Sequence, residues 1–207
     1  MAPPRTVLQV RHLEHAVSGS PLFHDLCFDL PAGLSLITGE DGCGKSTLLR
    51  LLAGDLPAAA GTIALQGSPF TPRDPGWGAQ VFWIDPQTEA HDAIRAGDFL
   101  DRLSPRYPRW SLEALADLVD GFALGPHLDK PLYMLSTGSK RKVWLTAAFA
   151  AGTAVTLIDQ PFAALDGAAK GFLREVLEDV ASHPSRAWVI ADHEAPPGVP
   201  LAATIRL

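Results

Sequence analysis

Residues 39–47 read Gly39-Glu40-Asp41-Gly42-Cys43-Gly44-Lys45-Ser46-Thr47. An apolar, strand-like run (residues 34–38) precedes them, and a helix-like run (residues 46–53) follows. In such a loop, glycines let backbone N–H groups approach phosphate oxygens, and the next helix directs its N-terminus at the same anion. A glycine-rich turn without a ligand is the alternative. The placement favours a loop for a nucleoside triphosphate, with Lys45 near the β- and γ-phosphates and Ser46 on a magnesium ion.

The composition of the chain fits one α/β domain. It has 207 residues, 47% of them hydrophobic, and a net charge of −6. No basic stripe is visible, so nucleic acid is not an expected partner. Cys27 and Cys43 have no metal-ligand spacing and fit a reducing cytosol. Residues 1–5 lack the apolar core of a signal peptide, and the longest uncharged run, residues 143–158, is too short to span a bilayer.

The pattern of hydrophobic residues predicts strands that alternate with helices. This order favours a P-loop NTPase core, which is a mainly parallel sheet with flanking helices, preceded by an N-terminal antiparallel β subdomain. Predicted strands span residues 6–10, 26–30, 34–38, 80–84, 155–158 and 187–191, with a hairpin at 62–67. Predicted helices span residues 46–53, 96–103, 112–122, 136–151 and 168–181.

One stretch of the chain has helical periodicity only. We expect residues 1–207 to form a single domain in which residues 1–86 and 136–207 build the core and about 87–135 form a helical subdomain. Ser111 is the expected cap of the second inserted helix. Its predicted buried face consists of Leu112, Leu115, Leu118, Val119 and Phe122.

A second motif is the run AVTLIDQPFAALD at residues 154–166. An apolar strand that ends in Asp159 places this carboxylate at the carboxyl edge of a parallel sheet, where ligands bind in such folds. Asp159 is therefore expected to hold magnesium opposite Ser46. A capping aspartate at the strand end is the alternative.

A third motif is Leu135-Ser136-Thr137-Gly138-Ser139, followed by a basic run and an apolar helix. Asp159 lies 23 residues after Ser136, and Asp166 lies 7 residues after Asp159. A predicted terminal strand leads to His193. Together with the phosphate loop, these motifs and their spacing resemble the ATP-binding cassette (ABC) ATPases over essentially the whole chain.

The resemblance implies roles for individual residues. ATP and Mg²⁺ are the implied ligands, with Ser46, Gln87 and Asp159 on the metal side. Ser136 and Gly138 would clamp the ATP of a second subunit, and Asp166 would lie at the interface of that homodimer or paralogous pair. His193 would contact the γ-phosphate. The implied catalytic set is Lys45, Gln87, Gln160 and His193.

The chain departs from the family pattern at several positions. Thr137 and Ser139 replace the usual glycine and glutamine. Gln160 stands where the family usually has glutamate, and an amide can orient water but cannot accept its proton. Loss of a general base costs about 10²- to 10⁴-fold in rate, so we expect ATP binding with slow hydrolysis. No aromatic residue precedes the loop at the adenine position; His15 and Phe23 are the candidates.

The helical subdomain is the expected partner surface. In transporters of the resembled family, this region receives a helix from an integral membrane subunit. Tyr107-Pro108-Arg109-Trp110 suits such an interface, or Trp110 fills the subdomain's own core.

Two stretches, residues 82–87 and 159–166, resemble the ATPase of the cytochrome c maturation haem exporter, whereas the Tyr-Pro-x-Trp run is similar to ABC-2-type exporters. The resemblance predicts a cytoplasmic ATP-hydrolysing subunit, peripheral on the inner face of the cell membrane. A slow, ATP-gated regulatory module is the alternative.

Overall fold

The computed structural model describes residues 5–68 and 71–207. The strands in these ranges are β1 Thr6–Val17, β2 Ser20–Pro31, β3 Gly33–Thr38, β4 Ala60–Leu65, β5 Val81–Phe82, β6 Val155–Asp159, β7 Ala187–Ala191 and β8 Ala203–Arg206. The α-helices are α1 Lys45–Ala53, α2 Trp77–Gln80, α3 Ala96–Leu103, α4 Leu112–Gly121, α5 Thr137–Ala150 and α6 Gly167–Ala181. The prediction that residues 1–5 lack the apolar core of a signal peptide concerns mostly residues 1–4, which lie outside the described ranges.

The central sheet has the strand order β5-β6-β7-β3-β8, and all of its pairings are parallel. Asp159 and Ile37 both pair with Ala191, one from each side of β7. The carboxyl ends of β3, β6 and β7 therefore meet at one edge of the sheet. Parallel strands joined by helices confirm the predicted α/β fold class.

Two apolar cores lie on the faces of this sheet. One contains Leu48, Leu49 and Leu52 of α1 and also holds the antiparallel sheet. The other contains Val143 and Leu145 of α5 together with buried residues of α3, α4 and α6. Burial on both faces explains why β7 is apolar at every position and β6 is apolar at Val155, Leu157 and Ile158.

The N-terminal antiparallel sheet has the order β2-β1-β4. β1 and β2 are longer than predicted, because bulges interrupt the alternation by which a strand is recognised. β4 pairs with β1. At the predicted hairpin, Leu65 and Ser68 form an antiparallel bridge, in which the N–H of Ser68 donates to the carbonyl of Leu65 at 3.0 Å. Residues 69 and 70, where a returning strand would continue, lie outside the described ranges.

The segment between β5 and α5 is helical, as predicted. α3 has the predicted bounds, and the Ser111 hydroxyl caps α4 by accepting from the Ala114 N–H at 3.1 Å. Leu118 and Phe122 are buried. The prediction for Leu112 was wrong, because this residue is 70% exposed.

Two other strand predictions need correction. Within residues 80–84, Gln80 ends the short helix α2 and only Val81 and Phe82 are in the edge strand β5. β7 is not the terminal strand, since β8 follows it and pairs with β3. No helix in the described ranges is both long and apolar enough to cross a bilayer.

Candidate functional site

The loop of residues 39–44 connects β3 to α1 at the carboxyl edge of the sheet. Gly42 and Gly44 have φ of 78° and 104°, which side chains rarely tolerate. A Cβ on Gly44 would lie 2.8 Å from the Phe23 ring, so only glycine fits there. The first turn of α1 contains no acidic residue, and its N-terminus can therefore receive an anion.

The Lys45 ammonium lies inside this loop. Its Nζ donates to the carbonyls of Gly39 and Glu40 at 2.8 and 2.9 Å, and the residue is only 6% exposed. Glu40, Asp41 and Gly42 are exposed. The loop thus surrounds one fixed positive charge with backbone groups, which is an arrangement suited to a phosphate chain.

Ser46 and Asp159 meet across the end of the sheet. The Ser46 hydroxyl donates to Asp159 Oδ2 at 2.5 Å. Asp159 Oδ1 is buried and has no hydrogen-bond partner among the described residues. Burial raises the pKa of Asp159, and the Ser46 hydrogen bond and the nearby Arg141 oppose that rise. A buried, unpartnered carboxylate oxygen beside a hydroxyl is a donor set that fits Mg²⁺.

His193 lies after β7, beside the same loop. Its Nε2 is 3.2 Å from Asp41 Oδ1, and its carbonyl accepts from the Thr38 hydroxyl at 2.8 Å. Thr38, Gly39, Cys43 and His193 line an open cleft of about 800 Å³. The structure thus brings His193 to the phosphate loop, where its partner is Asp41 of that loop.

Gln160 is exposed and directly follows Asp159. Its φ is 46°, which is uncommon for a residue other than glycine, asparagine or aspartate. The Gln160 N–H donates to the carbonyl of Ala191 at 2.8 Å, and its carbonyl accepts from Ala163 at 3.0 Å. These two hydrogen bonds hold the Gln160 backbone in its left-handed conformation, which fixes the direction in which the side chain leaves it. Gln87 is exposed in the turn after β5, where its N–H donates to Asp85 Oδ1 at 2.9 Å.

Ser136, Gly138 and Asp166 form a second group. The Ser136 hydroxyl caps α5 by accepting from the Ser139 N–H at 3.1 Å, as predicted. A Cβ on Gly138 would lie 2.4 Å from the Ala164 carbonyl oxygen, so the start of α5 packs directly on the loop after β6. Asp166 caps α6 through the Ala169 N–H at 2.8 Å. Among the described residues, no hydrogen bond or ion pair joins Ser136 or Gly138 to residues 39–47.

The basic run at the start of α5 has a separate partner for each side chain. Lys140 pairs with Asp92 at 2.7 Å, and Lys142 pairs with Asp166 at 2.8 Å. Hydrogen bonding to Lys142 lowers the pKa of Asp166.

Arg141 donates to the Asp159 carbonyl at 2.7 Å. Burial lowers the pKa of Arg141, and the charges of Asp159 and Asp192 oppose this effect. The sequence did not predict that Arg141 lies beside Asp159. The basic run at residues 140–142 was the only feature that pointed to a role for this arginine.

Two predictions for aromatic residues change. Phe23 is 6% exposed, with its ring against Gly44, so the proposal that it stacks on adenine was wrong. Tyr107 is 2% exposed, and Trp110 stacks on it with ring centroids 6.3 Å apart. These aromatic residues fill the core of the helical segment, which favours the packing alternative over the interface.

Comparison with known proteins yields one family and several relatives. Residues 23–163 match the family described as ABC transporter. The chain is 32% identical over 186 residues to the cytochrome c biogenesis ATP-binding export protein CcmA of Pseudomonas syringae pv. syringae, covering 88% of this chain and 83% of that protein.

Two further similarities are to an import protein and to a solved structure. The chain is 29% identical to the Fe(3+) ions import ATP-binding protein FbpC 3 of Rhodococcus jostii, in an alignment that covers 96% of this chain but only 58% of that protein. A solved ATP binding subunit of an ABC transporter superposes with a TM-score of 0.80 at 22% identity, covering 91% of this chain and 80% of the other. At that identity, the superposition establishes the fold alone.

Proposed function

Because this chain belongs to the ABC transporter family, we propose that it binds MgATP at residues 39–47, Ser46 and Asp159, and hydrolyses it slowly to drive a separate membrane subunit. Membership makes the chain an ATP-binding subunit. The observation that carries the magnesium site is the buried, unpartnered Asp159 Oδ1 beside the Ser46 hydroxyl. Mg²⁺ would be held by these oxygens and would neutralise charge on the phosphates.

In this proposal the chain supplies one half of each nucleotide site. Lys45 leaves the loop carbonyls for the phosphates, and His193 leaves Asp41 for the γ-phosphate. Gln160 and Gln87 orient water near the metal but cannot accept its proton. Ser136, Gly138 and Asp166 of a second subunit, identical or paralogous, complete the site. The cap of α5 supports this role, because it leaves further N–H groups at the helix start available to an anion.

We further propose that the membrane partner is an exporter used in cytochrome c biogenesis, with haem as the exported group. The CcmA relative, of which the chain covers 83%, supports this assignment. The importer relative is nearly as similar in identity, so the partner must be identified directly. An ABC-2-type exporter is the alternative partner. The chain would act in the cytoplasm, on the inner face of the membrane.

A second candidate function follows from Gln160. An amide at this position leaves the binding residues intact and removes the proton acceptor. The chain would then be a nucleotide-gated module whose closed, ATP-bound pair regulates or assembles a complex. Long-lived MgATP binding without stimulated turnover would characterise this function.

The experiment that separates the two functions measures phosphate release by the chain alone and with its co-purified membrane subunit. The transport function predicts a low basal rate that the membrane subunit increases, and Lys45→Ala as the control abolishes both rates. An unchanged rate with stable MgATP binding supports the module. No MgATP binding in the wild-type chain contradicts both functions.

A further inference from the structure

Three side chains with metal-ligating atoms converge on the antiparallel sheet, and none of them belongs to the phosphate loop. The donor atoms of His12, Asp25 and Cys27 all lie within 4.8 Å of one another. His12 Nδ1 is 2.5 Å from Asp25 Oδ1 and 3.9 Å from Cys27 Sγ. All three residues are exposed, and within the described ranges no other such group of His, Cys, Asp or Glu occurs.

Bulges in the β1–β2 pairing create this convergence. Val10 pairs with Phe28 and Leu13 with Leu26, so two residues of β1 oppose Cys27 alone. His15 then pairs with Phe23, so two residues of β2 oppose Glu14 alone. His12 and Asp25, one in each bulge, have φ of 51° and 53°. Bulges re-aim side chains, and here they direct an imidazole and a carboxylate from neighbouring strands to one point.

The separations between the donor atoms are close to those around a tetrahedrally coordinated metal ion. With metal–nitrogen and metal–oxygen bonds of about 2.0 Å and a metal–sulfur bond of about 2.3 Å, an N···S edge is about 3.6 Å and an N···O edge about 3.3 Å. The His12–Cys27 separation of 3.9 Å differs from this by a few tenths of an ångström. The His12–Asp25 pair would have to open by less than 1 Å. The backbone N–H of His12 also donates to Cys27 Sγ at 3.0 Å, which holds the sulfur beside the imidazole.

We propose that His12, Asp25 and Cys27 form a binding site for one divalent transition-metal ion of the Zn²⁺ class, with water as the fourth ligand. One imidazole, one carboxylate and one thiolate match the borderline softness of Zn²⁺ and exclude Mg²⁺ and Ca²⁺, which take oxygen ligands. Binding displaces the Cys27 thiol proton and the proton that His12 Nδ1 shares with Asp25.

The test uses Co²⁺ as a spectroscopic substitute for Zn²⁺, titrated into the full chain without nucleotide. We expect one Co²⁺ per chain, with visible bands of tetrahedral cobalt and a near-ultraviolet thiolate band, all removed by added Zn²⁺. Cys27→Ser removes the thiolate band, and His12→Ala or Asp25→Asn weakens binding by more than about 100-fold, beyond the loss typical of an outer-shell change. Cys43→Ser is the matched control and leaves the spectrum unchanged.

Two results would overturn the proposal. One is the absence of tetrahedral bands at one equivalent of Co²⁺. The other is a thiolate band that persists in Cys27→Ser or disappears in Cys43→Ser, which would assign the ligand to the phosphate loop. Circular dichroism verifies the fold of every variant, and MgATP binding verifies it for the three variants outside the phosphate loop. His12→Ala and Asp25→Asn test the site should Cys27→Ser fail to fold.

Discussion

Replacing Gly138 with alanine should destabilise the chain by pushing the start of α5 off the loop after β6. An added Cβ would lie 2.4 Å from the Ala164 carbonyl oxygen, and real Cβ contacts essentially never fall below 3.0 Å. The contact partner is backbone, in a residue whose φ is already 61°. Overpacking of this kind costs about 1–3 kcal/mol, and the better helix propensity of alanine returns about 0.5–1 kcal/mol. The two ranges combine to a net loss between about 0 and 2.5 kcal/mol, and their midpoints give about 1 kcal/mol, which lowers Tm by about 2–4 °C.

Gly171→Ala provides a matched control. Gly171 also lies inside a helix, α6, and a Cβ there would meet nothing within 4 Å. This substitution should therefore stabilise the chain by about 0.5–1 kcal/mol through helix propensity. Thermal and urea unfolding of both variants beside the wild type give the comparison. If Gly138→Ala is as stable as Gly171→Ala, the packing of α5 on the Ala164 carbonyl is refuted.

Two further predictions concern the nucleotide site. Asp41→Asn breaks the exposed ion pair between Asp41 and His193, and such a pair contributes up to about 1 kcal/mol. The substitution should therefore tighten ATP binding up to about fivefold at low salt. Glu40→Gln is the control, and an equal effect of both substitutions on ATP affinity would contradict a specific role for the pair. Asp159→Asn should abolish the rise in Tm of about 5–11 °C that MgATP at 100 times its Kd gives the wild type; a retained rise would exclude Asp159 as a metal ligand.

The thermal stability of Asp159→Asn is also expected to depend on pH differently from that of the wild type. Because burial raises the pKa of Asp159, ionising this carboxyl opposes folding. Its unfavourable contribution develops as pH rises from the ordinary aspartate pKa to the raised folded value. Without nucleotide, Asp159→Asn should therefore have a higher Tm than wild type near pH 7, and this advantage should shrink in acid. An advantage that grows in acid would contradict the assigned burial effect.

The sequence predicted which residues of the candidate site lie together, because these residues sit at strand ends and helix starts. A glycine pattern after β3 and an aspartate after β6 reach one edge of the sheet in any parallel arrangement. The caps Ser111 and Ser136 were predictable, because capping depends on residues three apart. The register that pairs both Ile37 and Asp159 with Ala191 needed the structure.

Contacts set by pairing register across distant segments were not predictable. β8 contains only one buried residue, Ile205, and follows a proline-rich stretch, so its period is too weak to recognise. Phe23 reaches Gly44 because β2 passes beneath the phosphate loop, and no local pattern encodes that. The convergence of His12 and Cys27 depends on bulges, and spacing along the chain hid it.

If the chain binds MgATP normally and Gln160 limits its turnover, restoring a carboxylate at residue 160 should accelerate hydrolysis. The decisive measurement is steady-state phosphate release by the wild type and by Gln160→Glu, at saturating MgATP and with ATP affinity measured in parallel. Gln160→Glu is expected to release phosphate about 10²- to 10⁴-fold faster, with similar ATP affinity. Equal rates in the two proteins would contradict it.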